Sequence, residues 1–454
     1  MLKRKINKEL CDFMKNEARA LLVTGARQVG KTFSIRQAAN ECFEHVIEIN
    51  FIEQPDAVKM FEGAQDAKEL ILRISSFTHE QMLPGKTLIF FDEVQECKEI
   101  VTAIKFLVDE GSYRYVMSGS LLGVELKDIR SVPVGYMSEK EMYPLDLEEF
   151  AEAISLNRDV LDHLGQCYDK QKPVDDFVHS QMMRIVWLYL VVGGMPAVVQ
   201  KYLETNDVQQ VLSVQRDIIK TYKRDIAKYD LLRKLQIEEI YDLIPSELNA
   251  KNKRFILKEL NEKARFGRYE SGVLWLKDAG VALPTYNIEE PRLPLLLNKQ
   301  RNLFKLYLND VGLLAAAYGG NIQMRLLTKD NDINFGAIYE NLVAQELYAH
   351  GLTINHDLFY FNSKKQGELD FVIEFNGDVL PIEVKSGKEY NRHRALANVM
   401  DSREYNIPHA VVLSQENVQI AGKVLYLPIY MTMFLQKRVS DKPLIYKLDM
   451  TGLK

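Results

Sequence analysis

The chain has 454 residues, of which 47% are hydrophobic and 27% are charged, a composition typical of a soluble globular protein. This length predicts about three domains. The formal net charge of −5 excludes a globally basic nucleic-acid-binding protein, so any surface for nucleic acid has to be local.

The cysteines and the apolar runs predict the compartment. Cys11, Cys42, Cys97 and Cys167 are scattered without a C-x-x-C pair, which argues against a zinc site or a disulfide framework and fits a reducing cytoplasm. No apolar segment follows the basic N-terminus, and the longest apolar run, residues 186–192, is too short to span a bilayer. We therefore expect a cytoplasmic protein with no signal peptide and no membrane partner.

The first predicted strand, residues 20–23, leads into a phosphate-binding loop. The sequence that follows reads G-A-R-Q-V-G-K-T, the pattern G-x-x-x-x-G-K-[ST]. Its glycines let backbone N–H groups turn toward phosphate oxygens, Lys31 places a charge on the β- and γ-phosphates, and the Thr32 hydroxyl can ligate Mg²⁺. The next segment reads as a helix, whose N-terminus favours an anion. The predicted nucleotide-binding residues are Gly25, Ala26, Arg27, Gln28, Val29, Gly30, Lys31 and Thr32.

A second motif supports the first. Residues 87–91 form an apolar run typical of a buried parallel strand, and Asp92 and Glu93 follow it directly. Asp92 is predicted to hold Mg²⁺, and Glu93 to orient or deprotonate the attacking water. Together the two motifs predict binding of ATP or GTP with Mg²⁺, and we expect ATP.

Apolar strands alternate with helical stretches through the first part of the chain. The predicted strands are residues 20–23, 46–51, 87–91 and 113–117, and this alternation predicts an α/β fold with a parallel sheet covered on both faces. The last of these strands ends at Ser118, which could sense the γ-phosphate or the attacking water. A simple turn is the alternative interpretation of Ser118.

The motif Tyr143-Pro144-Leu145, followed by Glu149-Phe150, completes a known pattern. With the two nucleotide motifs and Ser118, it resembles the prokaryotic AAA+ ATPases that carry a C-terminal domain of unknown function with a restriction-endonuclease-like fold. Many relatives have a Gly-Arg pair just before this motif, but here Gly135 is followed by Tyr136. Arg130 is therefore the candidate for a γ-phosphate contact, acting across a subunit interface if the ATPase domains self-associate. An ordinary surface arginine is the alternative.

The middle of the chain reads as mostly helical, with a breaker cluster at residues 193–196. Two stretches, residues 220–234 and 251–268, hold more basic than acidic residues. A helix carrying Val273, Leu274, Trp275 and Leu276 and a strand at residues 281–286 come next. This order is that of a winged helix, which the resembled family carries here. The basic stretches predict DNA contact, and a solvated helix face is the alternative.

The C-terminal part contains a predicted hairpin. Residues 368–375 and 379–386 read as strands around an Asn376-Gly377-Asp378 turn signal. A turn at Asn376-Gly377 pairs Asp370 with Glu383, and a turn at Gly377-Asp378 pairs Asp370 with Lys385. Either register places all three side chains on one face, because side chains alternate along a strand.

Two carboxylates and a lysine on one face can bind Mg²⁺ and position water near a phosphodiester. The spacing is the D…E-x-K signature of the restriction-endonuclease-like superfamily, which often adds an acidic residue from a preceding helix. Glu340, in a helix predicted to be amphipathic, fits that role, and a solvated helix face is its alternative. The predicted catalytic set is therefore Asp370, Glu383 and Lys385, with metal held by Glu340, Asp370 and Glu383.

These patterns predict four regions: an AAA+ ATPase domain (residues 1–150), a helical region (151–235), a winged-helix-like domain (236–320) and a restriction-endonuclease-like domain (321–454). The leading hypothesis is an ATPase whose nucleotide state controls DNA binding and metal-dependent cleavage. The alternatives are a nucleotide-dependent binding module with a non-catalytic nuclease-like domain, and an ATPase switch that assembles a partner complex.

Overall fold

The computed structural model describes residues 2–64, 66–119, 135–226, 231–250, 254–255, 266–319, 322–328, 335–387, 389–437 and 445, the side chains at 231–233 and 266–268 excepted. Arg130, the candidate γ-phosphate contact, lies outside these ranges. So does most of the second basic stretch, residues 251–268.

The N-terminal part is a parallel sheet, as predicted, but it has five strands where the sequence predicted four; the strand at Met137–Glu141 was not predicted. Its strands are β1 (Ala20–Thr24), β2 (His45–Asn50), β3 (Thr87–Asp92), β4 (Arg114–Ser118) and β5 (Met137–Glu141), in the order β2-β3-β4-β1-β5. The helices are α1 (Ile6–Asn16), α2 (Lys31–Cys42), α3 (Ala67–Phe77) and α4 (Lys98–Glu110). Strands β1 and β3 are buried at every position, since helices cover both faces of the sheet.

The expectation that no cysteines are bridged was wrong. Cys11 on α1 and Cys42 at the end of α2 form a disulfide, with Cα atoms 6.1 Å apart. The two residues are 31 positions apart in sequence, and only the packing of α1 against α2 brings them together. The cysteine pattern therefore no longer supports a reducing compartment.

A helical layer follows the sheet. It consists of α5 (Leu147–Ala153), α6 (Arg158–Asp169), α7 (Asp176–Val192), α8 (Pro196–Thr205), α9 (Val208–Ile226), α10 (Leu231–Asn249) and α11 (Phe266–Asp278). Within the described ranges no single helix is long and apolar enough to cross a membrane; only α7 and α8 taken together, across a 117° bend, meet that test.

The breaker cluster between α7 and α8 joins three parts of the chain. Gly194 accepts a backbone hydrogen bond from Leu145 (2.7 Å) and donates its N–H to the buried Asp310 carboxylate (2.6 Å). A Cβ atom at Gly194 would lie 1.9 Å from the Leu145 oxygen. Glycine is therefore required by close packing at this crossing.

The C-terminal part is an eight-stranded mixed sheet. Its strands are β6 (Ala282–Ile288), β7 (Lys299–Leu308), β8 (Leu358–Ser363), β9 (Gly367–Phe375), β10 (Asp378–Val384), β11 (Ala410–Ser414), β12 (Gln419–Ala421) and β13 (Val424–Pro428), in the order β12-β13-β11-β10-β9-β8-β6-β7. Its helices are α12 (Val311–Tyr318), α13 (Ile322–Leu327), α14 (Gly336–Ala349) and α15 (Arg394–Met400).

The region predicted as a winged helix is arranged differently. Strands β6 and β7 are hydrogen-bonded into the C-terminal sheet next to β8, so they do not form a small separate β unit. The helix of this region, α11, which a winged helix would use as its DNA-recognition helix, buries Val273, Trp275 and Leu276 in the core, and Leu274 is 37% exposed. Its apolar residues therefore serve packing, because β6 follows α11 directly into the sheet.

The helix α14 was predicted to be amphipathic, and this was wrong. All residues from Ala337 to Tyr348 are buried, because the helix packs between the sheet, α12 and the short helix at Ile429–Phe434. The interpretation of Glu340 as a solvated surface residue is thereby excluded, since it is 1% exposed.

Candidate nucleotide-binding site and the C-terminal charged cluster

The phosphate loop is held in its turn by glycine conformations and by its own lysine. Gly25 and Gly30 have φ values of 129° and 94°, which disfavour other residues. The Lys31 ammonium donates to the carbonyl oxygens of Gly25 (2.8 Å) and Ala26 (2.9 Å). Burial lowers the pKa of Lys31 to about 8, which a bound phosphate would raise again.

Asp92 is the centre of the polar network beside the loop. Its carboxylate accepts hydrogen bonds from the Thr32 hydroxyl (3.0 Å), the Asn50 side chain (3.2 Å) and the Ser118 hydroxyl. Burial raises the pKa of Asp92, while the Ser118 and Thr32 hydrogen bonds oppose that shift. Thr32 and Asp92 therefore fit a Mg²⁺ ion at this edge of the sheet.

Glu93 follows Asp92 at a strained position. Its φ of 56° is left-handed, and Gln95 donates to its carboxylate at 2.5 Å. Asn50, at the end of β2, and Gln95, in the short 3₁₀ helix after β3, were not predicted from the sequence, although Gln95 lies two residues from Glu93. The structure thus brings Lys31, Thr32, Asp92, Glu93 and Ser118 together at the carboxyl ends of β1, β3 and β4.

An apolar cavity of about 440 Å³ opens next to Gly30. Its lining comes from the N-terminal segment, the start of α2 and the start of α8: Leu2, Arg4, Gly30, Phe33, Ser34, Pro196, Ala197 and Gln200. Phe33, one of the lining residues, is 45% exposed to solvent. The cavity has the size and apolar walls that a nucleotide base requires.

Two arginines connect the loop to the rest of the chain. Arg4 donates to the Val29 carbonyl (2.9 Å) and the Tyr143 carbonyl (2.8 Å), and its side chain pairs with Glu149 (3.1 Å). Glu149, the glutamate that follows the Tyr-Pro-Leu motif, is therefore a structural residue that pairs with Arg4. Arg27, inside the loop, forms an ion pair with the buried Asp225 of α9 (2.9 Å).

The C-terminal hairpin has the first of the two predicted registers. Asp378 pairs with Phe375 and Ile382 with Phe371, around a turn in which Asn376 and Gly377 have positive φ. Asp370 accepts a hydrogen bond from the Val384 N–H (2.8 Å). Glu383 pairs with Lys385 (2.6 Å), so the three predicted residues meet on one face.

Glu340 belongs to this charged cluster together with residues that the sequence analysis missed. The ammonium of Lys305, on β7, lies 2.7 Å from Glu368 and 3.7 Å from Glu340 and is 0% exposed. The Tyr307 hydroxyl donates to Glu340 (3.0 Å). Burial raises the pKa of Glu383, although Lys385 opposes that shift. Among the described residues, no group of three or more His, Cys, Asp or Glu side chains is arranged to hold a metal ion.

A second buried network joins α14 to the Tyr-Pro-Leu motif. His350 lies 3.4 Å from Asp146 and 3.6 Å from Glu346, and its other ring nitrogen is 2.9 Å from the Leu435 carbonyl. Glu346 accepts the Leu147 N–H (2.9 Å). Burial opposes protonation of His350, but the carboxylates outweigh it and raise the His350 pKa.

We expect this network to make stability depend on pH. A histidine whose pKa is raised on folding stabilises the protein fully below its unfolded pKa, and this contribution is lost as pH rises through the folded pKa. The pKa of Glu346, which burial raises to about 7, changes stability in the same direction. The unfolding free energy lost in His350→Gln should therefore be larger at pH 6 than at pH 9. His79→Gln, at an exposed position, is the matched control; an equal loss at both pH values would contradict the assignment.

Family comparisons agree with this geometry for the N-terminal part. Residues 17–151 match the family model described as an AAA domain. Residues 183–323 and 335–431 match two models described as domains of unknown function, DUF8612 and DUF4143. The uncharacterized protein MJ1544 of Methanocaldococcus jannaschii is 23% identical over 359 residues, which are 78% of this chain and 71% of that protein.

Three solved structures match about two thirds or more of the chain at low sequence identity. The Walker-type ATPase PABY2304 of Pyrococcus abyssi is 15% identical, with a TM-score of 0.44, over 70% of this chain and 96% of that one. The Aeropyrum pernix Orc1 protein in complex with DNA is 14% identical, with a TM-score of 0.27, over 72% and 91%. The Thermotoga maritima RuvB branch migration motor is 13% identical, with a TM-score of 0.27, over 67% and 92%.

The N-terminal part of the chain is therefore an AAA-type P-loop ATPase domain. The family match and the phosphate loop together support ATP binding. The restriction-endonuclease-like fold of the C-terminal sheet stays a prediction.

Proposed function

We propose that this protein hydrolyses ATP and uses its nucleotide state to control DNA binding by the remainder of the chain. The observation that carries the proposal is the direct contact between the phosphate loop and the helical and C-terminal parts. Besides the Arg27–Asp225 ion pair, the Tyr222 hydroxyl donates to the Arg27 carbonyl (3.3 Å) and accepts a hydrogen bond from Asn309 (3.3 Å). Asn309 directly follows β7, so three residues connect the loop to the eight-stranded sheet.

The turn after α11 adds a second contact. A Cβ atom at Gly280 would lie 2.8 Å from the Ala26 nitrogen, so the backbone before β6 rests on the loop itself. A phosphate that draws Arg27 and the loop amides toward itself changes these contacts. Nucleotide state then shifts the population of arrangements of α9 and β6.

For hydrolysis, Lys31 and the loop amides would hold the phosphates. Thr32 and Asp92 would hold a Mg²⁺ ion, which when bound would neutralise charge that develops on the transferred phosphoryl group. Glu93 orients the attacking water after the hydrogen bond from Gln95 to its carboxylate breaks in the substrate complex. Ser118 is a candidate γ-phosphate contact through its place beside Asp92. Arg130 keeps its proposed role as a contact supplied across a subunit interface.

DNA binding is supported by the exposed basic residues of α9. Lys220 and Arg224 are exposed, and the Lys220–Asp217 pair (3.1 Å) is a surface ion pair that stabilises little and can exchange for a phosphate. The acidic whole chain restricts such contacts to local surfaces. We propose no cleavage step in the C-terminal cluster. Of the two interpretations of this domain, we propose the non-catalytic nuclease-like domain. A plasmid that stays intact with ATP and Mg²⁺ or Mn²⁺ agrees with this, whereas cleavage that Asp370→Ala abolishes contradicts it.

The basic face of α9 is tested by the salt dependence of DNA affinity. For the double variant Lys220→Ala/Arg224→Ala, we expect the slope of log affinity against log salt concentration to be reduced in magnitude by about 2, since each phosphate contact contributes about 0.9. Fluorescence anisotropy of a labelled duplex provides the measurement. The matched control is Lys59→Ala/Lys86→Ala, which removes two exposed lysines of the N-terminal ATPase domain. A slope unchanged by the α9 substitutions would remove this face as the DNA surface.

A further inference from the structure

The C-terminal charged cluster contains an internal cation, the ammonium of Lys305, beside the carboxylates of Glu340 and Glu368. Lys305 reaches from β7 into the space between α14 and β9, with its ammonium 2.7 Å from a Glu368 oxygen and 3.7 Å from a Glu340 oxygen. Its ammonium also lies 5.0 Å from the centre of the Tyr360 ring. The side chain is fully buried, so no water shell replaces these partners.

The carboxylates of the cluster are each engaged by the protein. Glu340 accepts the Tyr307 hydroxyl in addition to facing Lys305, and Glu368 accepts the Asn362 amide. Asp370 accepts the Val384 N–H. A divalent ion needs several carboxylate and carbonyl oxygens directed at one point, whereas these oxygens are directed at an ammonium, a hydroxyl, an amide and a backbone N–H.

The fourth carboxylate, Glu383, is also directed inward. One of its oxygens pairs with Lys385 at 2.6 Å, and the other is buried without a hydrogen-bond partner in the described part of the chain. Among the described residues, Lys305 and Lys385 form the ion pairs with these carboxylates. Buried carboxylates are stable only when such charge compensates them.

We infer that Lys305 is the resident counter-cation of this cluster and takes the place of a divalent metal. The cluster then folds without Mg²⁺ or Mn²⁺, and the full chain in the absence of nucleotide has no metal site that depends on Asp370. The chain keeps Asp370, Glu383 and Lys385 of the D…E-x-K pattern. Lys305, 65 positions upstream of Asp370, supplies the positive charge that a metal ion would otherwise supply. This inference concerns the cation alone and is independent of the proposed control of DNA binding.

The experiment measures Mn²⁺ binding to the full chain without nucleotide, through the loss of the free Mn²⁺ electron paramagnetic resonance signal. The unchanged chain and Asp370→Asn should bind the same small amount of Mn²⁺. Lys305→Met removes the cation at similar side-chain length, so it should gain Mn²⁺ binding that a second substitution, Asp370→Asn, removes. Mn²⁺ should also raise the melting temperature of Lys305→Met more than that of the unchanged chain. Lys365→Met, at an exposed position on the β8–β9 turn, should behave like the unchanged chain.

Mn²⁺ binding by the unchanged chain that Asp370→Asn abolishes would overturn the inference. So would a folded Lys305→Met variant that gains no Mn²⁺ binding. If Lys305→Met does not fold, Mn²⁺ binding by the unchanged chain and by Asp370→Asn still tests the inference: equal binding supports it, and a loss in Asp370→Asn overturns it. Because neither DNA nor nucleotide is present, these outcomes are distinct from failure of the proposed function.

Discussion

We expect Lys31→Ala to hydrolyse ATP about 10²–10³-fold more slowly than the unchanged chain, because it loses a preorganised charge on the transferred phosphoryl group. The Lys31 ammonium is buried and held by the Gly25 and Ala26 carbonyls at 2.8 and 2.9 Å, so it is already positioned beside the loop. Burial lowers the pKa of Lys31 to about 8, because the charged ammonium loses contact with water. Phosphate groups supply the negative charge that stabilises the ammonium.

The measurement for Lys31→Ala is steady-state phosphate release together with the affinity for a fluorescent ATP analogue. Lys86→Ala is the matched control, because Lys86 is an exposed lysine of the same domain whose partner is Glu44. The control should keep both hydrolysis and affinity. Hydrolysis in Lys31→Ala at the rate of the control would contradict the assignment of the phosphate loop.

We expect Lys305→Met to lower the free energy of unfolding by about 3–5 kcal/mol, the cost of removing one partner from a buried ion pair. The ammonium is completely buried between Glu340 and Glu368. Burial favours its neutral form, but the surrounding acidic groups outweigh burial and hold the pKa of Lys305 well above its usual range. Loss of the cation leaves the two carboxylates facing each other in a medium of low polarity.

Denaturant unfolding of the full chain measures this loss, followed by tryptophan fluorescence and circular dichroism. The unfolding of a chain of this size need not be two-state, so the transition that reports the C-terminal sheet is compared between variants. Lys365→Met should change stability by no more than about 0.5 kcal/mol, since it alters an exposed side chain. Equal stabilities of Lys305→Met and Lys365→Met would show that Lys305 does not compensate the cluster.

The parts of the structure that the sequence predicted are those fixed by local chemistry. The phosphate loop depends on glycines and a lysine within eight residues. The turn signal predicted the hairpin and left two registers open, of which the structure has the one with its turn at Asn376-Gly377. The buried parallel strands were recognisable because strands covered on both faces are apolar at every position.

What the sequence could not predict depends on contacts between distant segments. Lys305 lies 65 positions before Asp370 and reaches the cluster only because β7 joins the same sheet as β9. Arg4 clamps the phosphate loop from before α1, and its only sequence signal was a basic N-terminus. The winged-helix interpretation followed the order of elements, whereas the partner of β6, strand β8, lies beyond α14.

The two buried ionic networks have different consequences. The network of Asp146, Glu346 and His350 holds α14 against the motif at the end of the ATPase domain, and burial raises the pKa of Glu346 within it to about 7. The cluster around Lys305 contains lysine as its cation, so pH near neutrality should not dissociate it. The attachment of the C-terminal sheet to the ATPase domain should therefore weaken at high pH before the sheet itself does.

The central claim, that nucleotide at the phosphate loop controls DNA binding, is tested most directly by the DNA affinity of the full chain in a non-hydrolysable ATP analogue and in ADP. We expect the two affinities to differ by about 5–150-fold, the usual range of coupling between sites. Asp225→Asn breaks the ion pair with Arg27 from outside the loop, so it should retain ATP affinity and abolish this difference. Asp217→Asn, exposed on the same helix, should keep it. Equal DNA affinity of the unchanged chain in both nucleotides would contradict the claim.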